Sequence, residues 1–178
     1  MGLNIQPVTV AIADRDHDRR SEYERILEDE IGITLLTNVK SNNEVGSDLA
    51  FVNRRLRPRI NVTASEDEVA RIKRLKPLVV LVNLNLCTDD DYAFLLSLHR
   101  ECPDPFVILL ADDSIDVSRI LQALEIGARG YLTYETAQLH LSMAIRVVGH
   151  GEAWIPRKML GNIMTHMLKL QSFHVLRQ

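Results

Sequence analysis

Aromatic residues are scarce in this chain, 5% of 178 residues with a single tryptophan. Valine, leucine and isoleucine must therefore fill any core, and a stacking platform for nucleic-acid bases is not expected. There are only two cysteines, Cys87 and Cys102. Their spacing is not that of a metal site, and both read as reduced thiols in a cytosolic protein. The net charge is only −3, which offers no bulk attraction to nucleic acid or to a membrane surface. No apolar run nears the roughly 18 residues that a membrane span needs, and no signal peptide precedes the first strand, so a cytoplasmic protein without membrane contact is expected. The six histidines are scattered without ligand spacing. A Gly-rich phosphate loop, a nucleophile–base pair and a metal constellation are all missing. The expectation is a non-enzyme that needs neither metal nor cofactor.

What is present is 46% apolar, enough for the core of one ordinary domain with a tail. Its centre is the stretch from Lys76 to Cys87. The apolar run from Leu78 to the edge of Asn83 does not alternate with polar residues. It is too short for a buried helix and too apolar for an edge strand, so it predicts a central parallel strand covered on both faces. Asn83 interrupts the run at the strand's carboxyl end, where open α/β sheets place their ligand sites.

The rest of the chain alternates in the same style. Val8 to Ala13, Ile33 to Leu36, Phe106 to Leu110 and Gly130 to Thr133 read as further strands. Between them run helical stripes: Tyr23, Ile26, Leu27 and Ile31; Val69, Ile72 and Leu75; Phe94, Leu95 and Leu98; Ile120, Leu121 and Leu124; Leu141, Ala144, Ile145 and Val148. Asp16 or Asp18 is expected to cap the first helix, a box starting at Ser65 the second, Thr88 or Asp89 the third and Thr136 the fifth. Gly32 and Gly127 are expected as stops. Residues 37–61 break the pattern and read as an insertion, with a short strand from Ile60 to Ala64 at its end. Strands alternating with helices in this way form a parallel sheet with right-handed crossovers.

The segment from Pro77 to Leu86 resembles the third strand of a response-regulator receiver domain of the LuxR/NarL/FixJ type. The segments Gly127-Ala128-Arg129-Gly130-Tyr131-Leu132 and Gly151-Glu152-Ala153-Trp154-Ile155 are similar to other receiver segments of that subfamily. The resemblance covers about residues 8–156, less the insertion. It implies a flavodoxin/CheY-like, doubly wound, five-stranded parallel sheet in the order 2-1-3-4-5. It also implies a receiver-like domain over residues 1–155 and a C-terminal linker helix over 156–178. In the family, that helix leads to a DNA-binding helix-turn-helix, so contact with DNA is expected only through a C-terminal domain absent from this chain.

The resemblance further implies a phosphorylation pocket, and here the chain departs from the family pattern. Asn83 stands at the position of the phosphoryl acceptor, and only a carboxylate makes an acyl phosphate. Asp14 matches the first acid of the family's pair, but Arg15 stands at the second, and Asp16 replaces it only if the loop is displaced. Ala111 stands where the family has a hydroxyl residue, and Tyr134 where it has a lysine. The expectation is a degenerate pocket of Asp14, Arg15, Asp16, Asn83, Ala111 and Tyr134 without phosphoryl or Mg²⁺ chemistry. Either Arg15 pairs with Asp14 or Asp16 while Asn83 bonds across them, or the pocket takes a small molecule.

Two surfaces remain. Arg54, Arg55, Arg57 and Arg59 form either a solvated face or a site for an anion or a protein partner. Leu160, Ile163, Met164 and Met167 stripe the C-terminal helix. With Leu141, Ile145 and Val148 of the fifth helix, they are the expected contacts of a phosphorylation-independent homodimer. The function expected is an atypical response regulator that controls transcription through protein contacts. The alternatives are a stand-alone pseudo-receiver interaction module and a small-molecule sensor.

Overall fold

Residues 6–37, 63–87 and 92–175 are described by the structure, a computed structural model. The apolar runs become five parallel strands: β1 (Val8–Ala13), β2 (Ile33–Leu35), β3 (Val79–Asn83), β4 (Phe106–Ala111) and β5 (Gly130–Thr133). Their order is β2-β1-β3-β4-β5. Successive side chains of a strand point to opposite faces, and β3 shows why its sequence does not alternate. Val80 and Val82 enter one apolar cluster while Val79 and Leu81 enter the other, and all four are fully buried.

Among the described residues, six α-helices accompany the strands: α1 (His17–Glu28), α2 (Thr63–Leu75), α3 (Ala93–Glu101), α4 (Val117–Glu125), α5 (Tyr134–Gly149) and α6 (Arg157–Val175). Tyr23 and Leu27 of α1 pack with Ala137, Leu141, Ala144, Ile145 and Val148 of α5 on one face. Val69 and Ile72 of α2, Phe94, Leu95 and Leu98 of α3, and Ile120 and Ala123 of α4 fill the other. Each buried Val, Leu, Ile or Phe among them contributes about 1.5–3 kcal/mol. The homodimer contacts expected at Leu141, Ile145 and Val148 are therefore corrected: at 1%, 0% and 0% exposed, they are core. The outer face of α5 carries Leu139 and Met143 instead, 80% and 57% exposed.

Local signals account for the ends of the elements. Asp16 caps α1, its side chain accepting from the backbone N–H groups of Asp18 and Arg19. Ile31 lies beyond the end of that helix and is exposed, not packed as its spacing suggested. Gly32, at φ 82°, makes the turn into β2, and Gly127, at φ 123°, follows α4. The cap of α5 is Thr133, with Thr136 as its reciprocal partner three residues on. Thr63 and Ala64 are helical, so the short strand expected to reach Ala64 does not extend that far. Tyr92 precedes α3 in the left-handed region at φ 51°, an uncommon conformation for an aromatic residue. Its hydroxyl donates to the Arg119 carbonyl at 3.0 Å. The arginines at 54, 55, 57 and 59, all but Thr37 of the expected insertion, and the alternative caps Thr88 and Asp89 lie outside the described residues, as does the side chain of Met167.

Both sheet edges show how the backbone is satisfied. On the β2 side, Leu36 N–H donates to the Val10 carbonyl at 2.7 Å. The next β1 carbonyl on that edge, Ile12, accepts from Arg71 Nη2 at 2.5 Å. Arg71 is buried and paired with Glu68. At the β5 edge, Trp154 adds a single bridge, accepting from Tyr131 N–H at 2.9 Å and donating to the Arg129 carbonyl at 3.0 Å.

Candidate functional site

A parallel sheet brings all its strand carboxyl ends to one side, and that geometry gathers residues far apart in sequence. Asp14 follows β1, Asn83 ends β3, Ala111 ends β4 and Tyr134 opens α5 just after β5. Asn83 is completely buried. Its Nδ2 donates to Asp14 Oδ2 at 2.6 Å, and its Oδ1 accepts from the Tyr134 hydroxyl at 2.9 Å and from Asn85 N–H at 3.0 Å. Chemistry fixes which way the amide faces. A backbone N–H can only donate and an ionised carboxylate only accept. The same Oδ1 caps the 3-10 turn Leu84–Leu86.

The second half of the cluster comes from α1. Arg19 Nη2 lies 2.6 Å from Asp16 Oδ2 and its Nε lies 3.4 Å from Asp14 Oδ2. The guanidinium carbon sits 4.0 Å from the centroid of the Tyr134 ring. The Asp14 side chain is fully buried, and its other oxygen accepts from Asp16 N–H at 2.9 Å. The four side chains of Arg19, Asp14, Asn83 and Tyr134 thus form a closed ring: ion pair, amide–carboxylate bond, phenol–amide bond and cation–π contact. The Arg19 backbone N–H, followed by its side chain, holds the Asp16 carboxyl below the usual aspartate range. Burial pushes the Tyr134 phenol up, opposed by its bond to Asn83 and by Arg19.

The sequence-predicted pocket is thus partly assembled and partly rewritten. Asp14, Asp16, Asn83 and Tyr134 come together. Ala111 is buried at the rim and brings no polar atom. Arg15 is exposed, and the cation expected from it is supplied by Arg19 instead. Reasoning along the chain missed Arg19, although a signal was there. It stands three residues after the cap Asp16, one helical turn on, where a side chain can return to the cap. A second arginine, Arg119, donates to the Cys87 carbonyl and has its guanidinium carbon 5.9 Å from the Tyr92 ring centroid, tying α4 to the segment beyond β3.

The chemistry open to this arrangement is limited. Asn83 carries no anionic oxygen, and most of its hydrogen-bonding capacity is already used. Among the described residues, no group of three or more acidic, histidine or cysteine side chains is placed to hold a metal ion, and no helix is long and apolar enough to cross a membrane.

No protein-family model matches the chain. A transcriptional regulatory protein, DegU of Brevibacillus brevis, is 29% identical over 105 residues, which is 59% of this chain and 44% of DegU. The chain thus spans less than half the length of that relative. Among solved structures, a LuxR-family two-component response regulator from an Aurantimonas species aligns over 91% of this chain and 99% of its own, at 15% identity and a TM-score of 0.66. The isolated REC domain of RcsB from Salmonella enterica serovar Typhimurium aligns over 88% and 98%, at 15% identity and a TM-score of 0.63. At these identities the likeness is one of architecture, and the architecture of this chain is that of a response-regulator receiver domain.

Proposed function

We propose that this chain is the receiver-like module of an atypical response regulator, which acts in signal transduction and transcription control through protein contacts and without accepting a phosphoryl group. One observation carries the reading: Asn83 is sealed between Asp14 and Tyr134 at the carboxyl end of the central strand. An amide there cannot form an acyl phosphate. The Tyr134 hydroxyl lies 2.9 Å from its oxygen, and the side chain of Asn83 has no exposed surface. In this reading, residues 1–155 form the receiver-like unit with an insertion at 37–61, and residues 156–178 form a linker helix. DNA contact belongs to a further domain beyond this chain. Incubation with acetyl phosphate and Mg²⁺ tests the reading: no phosphoryl mass is expected, and an adduct mapped to this pocket refutes it. Asn83→Asp alone is expected to stay unphosphorylated, because Ala111 brings no hydroxyl and Tyr134 no ammonium at the family's positions.

A module without a phosphoryl switch needs its assembly set in another way, and exposed apolar surface supports a constitutive homodimer. On α6, Leu160, Met164 and Leu168 recur every fourth residue and are 47%, 65% and 62% exposed. The opposite side of that helix is already used. Met159 is buried beside Ile155, and His166 Nε2 lies 2.7 Å from Glu125 Oε1 of α4. Ile163 is half-buried and lines the groove between α4 and α6. Sedimentation equilibrium at about 100 μM is expected to show a dimer that Met164→Glu or Met143→Glu weakens. A monomer, or a dimer indifferent to both changes, refutes it.

A further inference from the structure

The pocket poses a problem of charge. Asp14 is an acid whose side chain is fully buried, and a buried carboxylate persists only if it is paired or hydrogen-bonded. Asp16 stands beside it, and Asn83 is neutral. Among the described residues, the ion pair made by Asp14 is with Arg19. The Arg19 side chain is 21% exposed, in contact with both carboxylates and with the face of Tyr134. Its Nε is buried and has no hydrogen bond of good geometry, approaching Asp14 Oδ2 only at 3.4 Å. The guanidinium is therefore held by charge and by the ring rather than by a full set of directed bonds.

We propose that Arg19 is the resident cation of this pocket, occupying the place between Asp14, Asp16 and the Tyr134 ring that a divalent cation would otherwise take. A guanidinium stays charged at any relevant pH and stacks on an aromatic face as a hydrated metal ion does not. Being tethered to α1, it competes at a high effective concentration against any ion from solution. It also spans two elements: α1 carries the guanidinium and α5 carries the ring. The pocket is then indifferent to Mg²⁺, and Tyr134 is kept inward without a ligand. The inference rests on the functional reading above and adds to it. Asn83 removes the acceptor, and Arg19 removes the need for a metal.

The test uses the full chain and Mn²⁺ alone as the probe, read by paramagnetic broadening of backbone resonances around Asp14 and Asp16. The wild type is expected to show no site-specific broadening. Arg19→Gln and Arg19→Met leave both carboxylates without their cation and are expected to bind Mn²⁺ at least about tenfold more tightly than the wild type, because a unit positive charge about 4 Å away has been removed. Adding Asp16→Asn to Arg19→Gln should abolish the gain, and Arg19→Lys should keep the ion out. Proton exchange at the wild-type Arg19 guanidinium, which needs no variant, should be slower than in a free arginine. Failure of both neutral variants to bind Mn²⁺ while folded overturns the inference, as does exchange as fast as in free arginine. Site-specific Mn²⁺ binding by the wild type overturns it too. Phosphoryl uptake by the wild type is a separate outcome that overturns the functional reading and this inference together, whereas a silent wild type with unresponsive variants overturns the inference alone.

Discussion

Asn83→Asp is an informative perturbation of the pocket because it changes one atom and inverts the electrostatics. The Asn83 Nδ2 that donates to Asp14 Oδ2 at 2.6 Å becomes an oxygen, so two carboxylates face each other at that distance in a buried site. They cannot both ionise at ordinary cost, and the pair takes up protons at a raised apparent value. Arg19, with Nε 3.4 Å from Asp14, offsets part of the repulsion. A raise of roughly 2–3 units corresponds to about 3–4 kcal/mol at 1.36 kcal/mol per unit. After that offset, a loss of about 2–4 kcal/mol at pH 7.5 is expected. The pH dependence has a definite sign. The folded variant holds a proton that the unfolded chain releases near pH 4, so the penalty builds up between about pH 4 and the raised value, and is constant above it. At pH 5, where only about 1.4 kcal/mol of the penalty has built up, the variant should recover about 0.7–2.4 kcal/mol of the loss. Urea unfolding followed by Trp154 fluorescence measures this directly, since Trp154 is the chain's single tryptophan and bridges to β5. A midpoint equal to that of the wild type at pH 7.5, or a deficit that does not shrink at pH 5, refutes the reasoning.

Other expectations follow from the same packing. Arg71→Met leaves the Ile12 carbonyl and the partly buried Glu68 without their donor, and should cost about 2–4 kcal/mol in urea unfolding. The Tyr23 hydroxyl is buried without a partner and burial pushes its phenol far up, so Tyr23→Phe should be neutral or stabilising by up to about 1 kcal/mol. Burial also raises Tyr131 and Tyr134. The fold should therefore lose stability above about pH 10, where unfolded tyrosines ionise, with phenolate absorbance rising together with unfolding. Tyr23→Phe should lessen that alkaline loss. On α5, Leu141→Asp should prevent folding, whereas Leu139→Asp should change stability by less than about 0.5 kcal/mol, a contrast that circular dichroism and thermal melts resolve.

The strands, most of the helices and the sheet class were legible in the sequence, because burial on both faces leaves its mark residue by residue. An unalternating run such as Leu78–Val82, bounded by Pro77 and Asn83, fits a strand covered on both faces and little else. The position of Asn83 at a carboxyl end, and the absence of an anionic oxygen there, were equally legible, since chemical identity is carried by the residue itself. The order of the strands was not carried by the pattern; it came from resemblance to a family and is seen in the pairing of β1 with both β2 and β3. Tertiary structure alone decided which arginine serves the pocket. Arg15 and Arg19 are both near the acids in sequence, but Arg15 lies in the turn and points to water, while one helical turn returns Arg19 over Asp16 and onto Tyr134. It also decided which apolar residues are free. Leu141, Ile145 and Val148 looked available by spacing and are core, because a helix stripe reveals an apolar face but not whether a sheet or a second molecule covers it. That distinction depends on what packs against the helix across more than a hundred residues of intervening chain, from Tyr23 and Leu27 to α5.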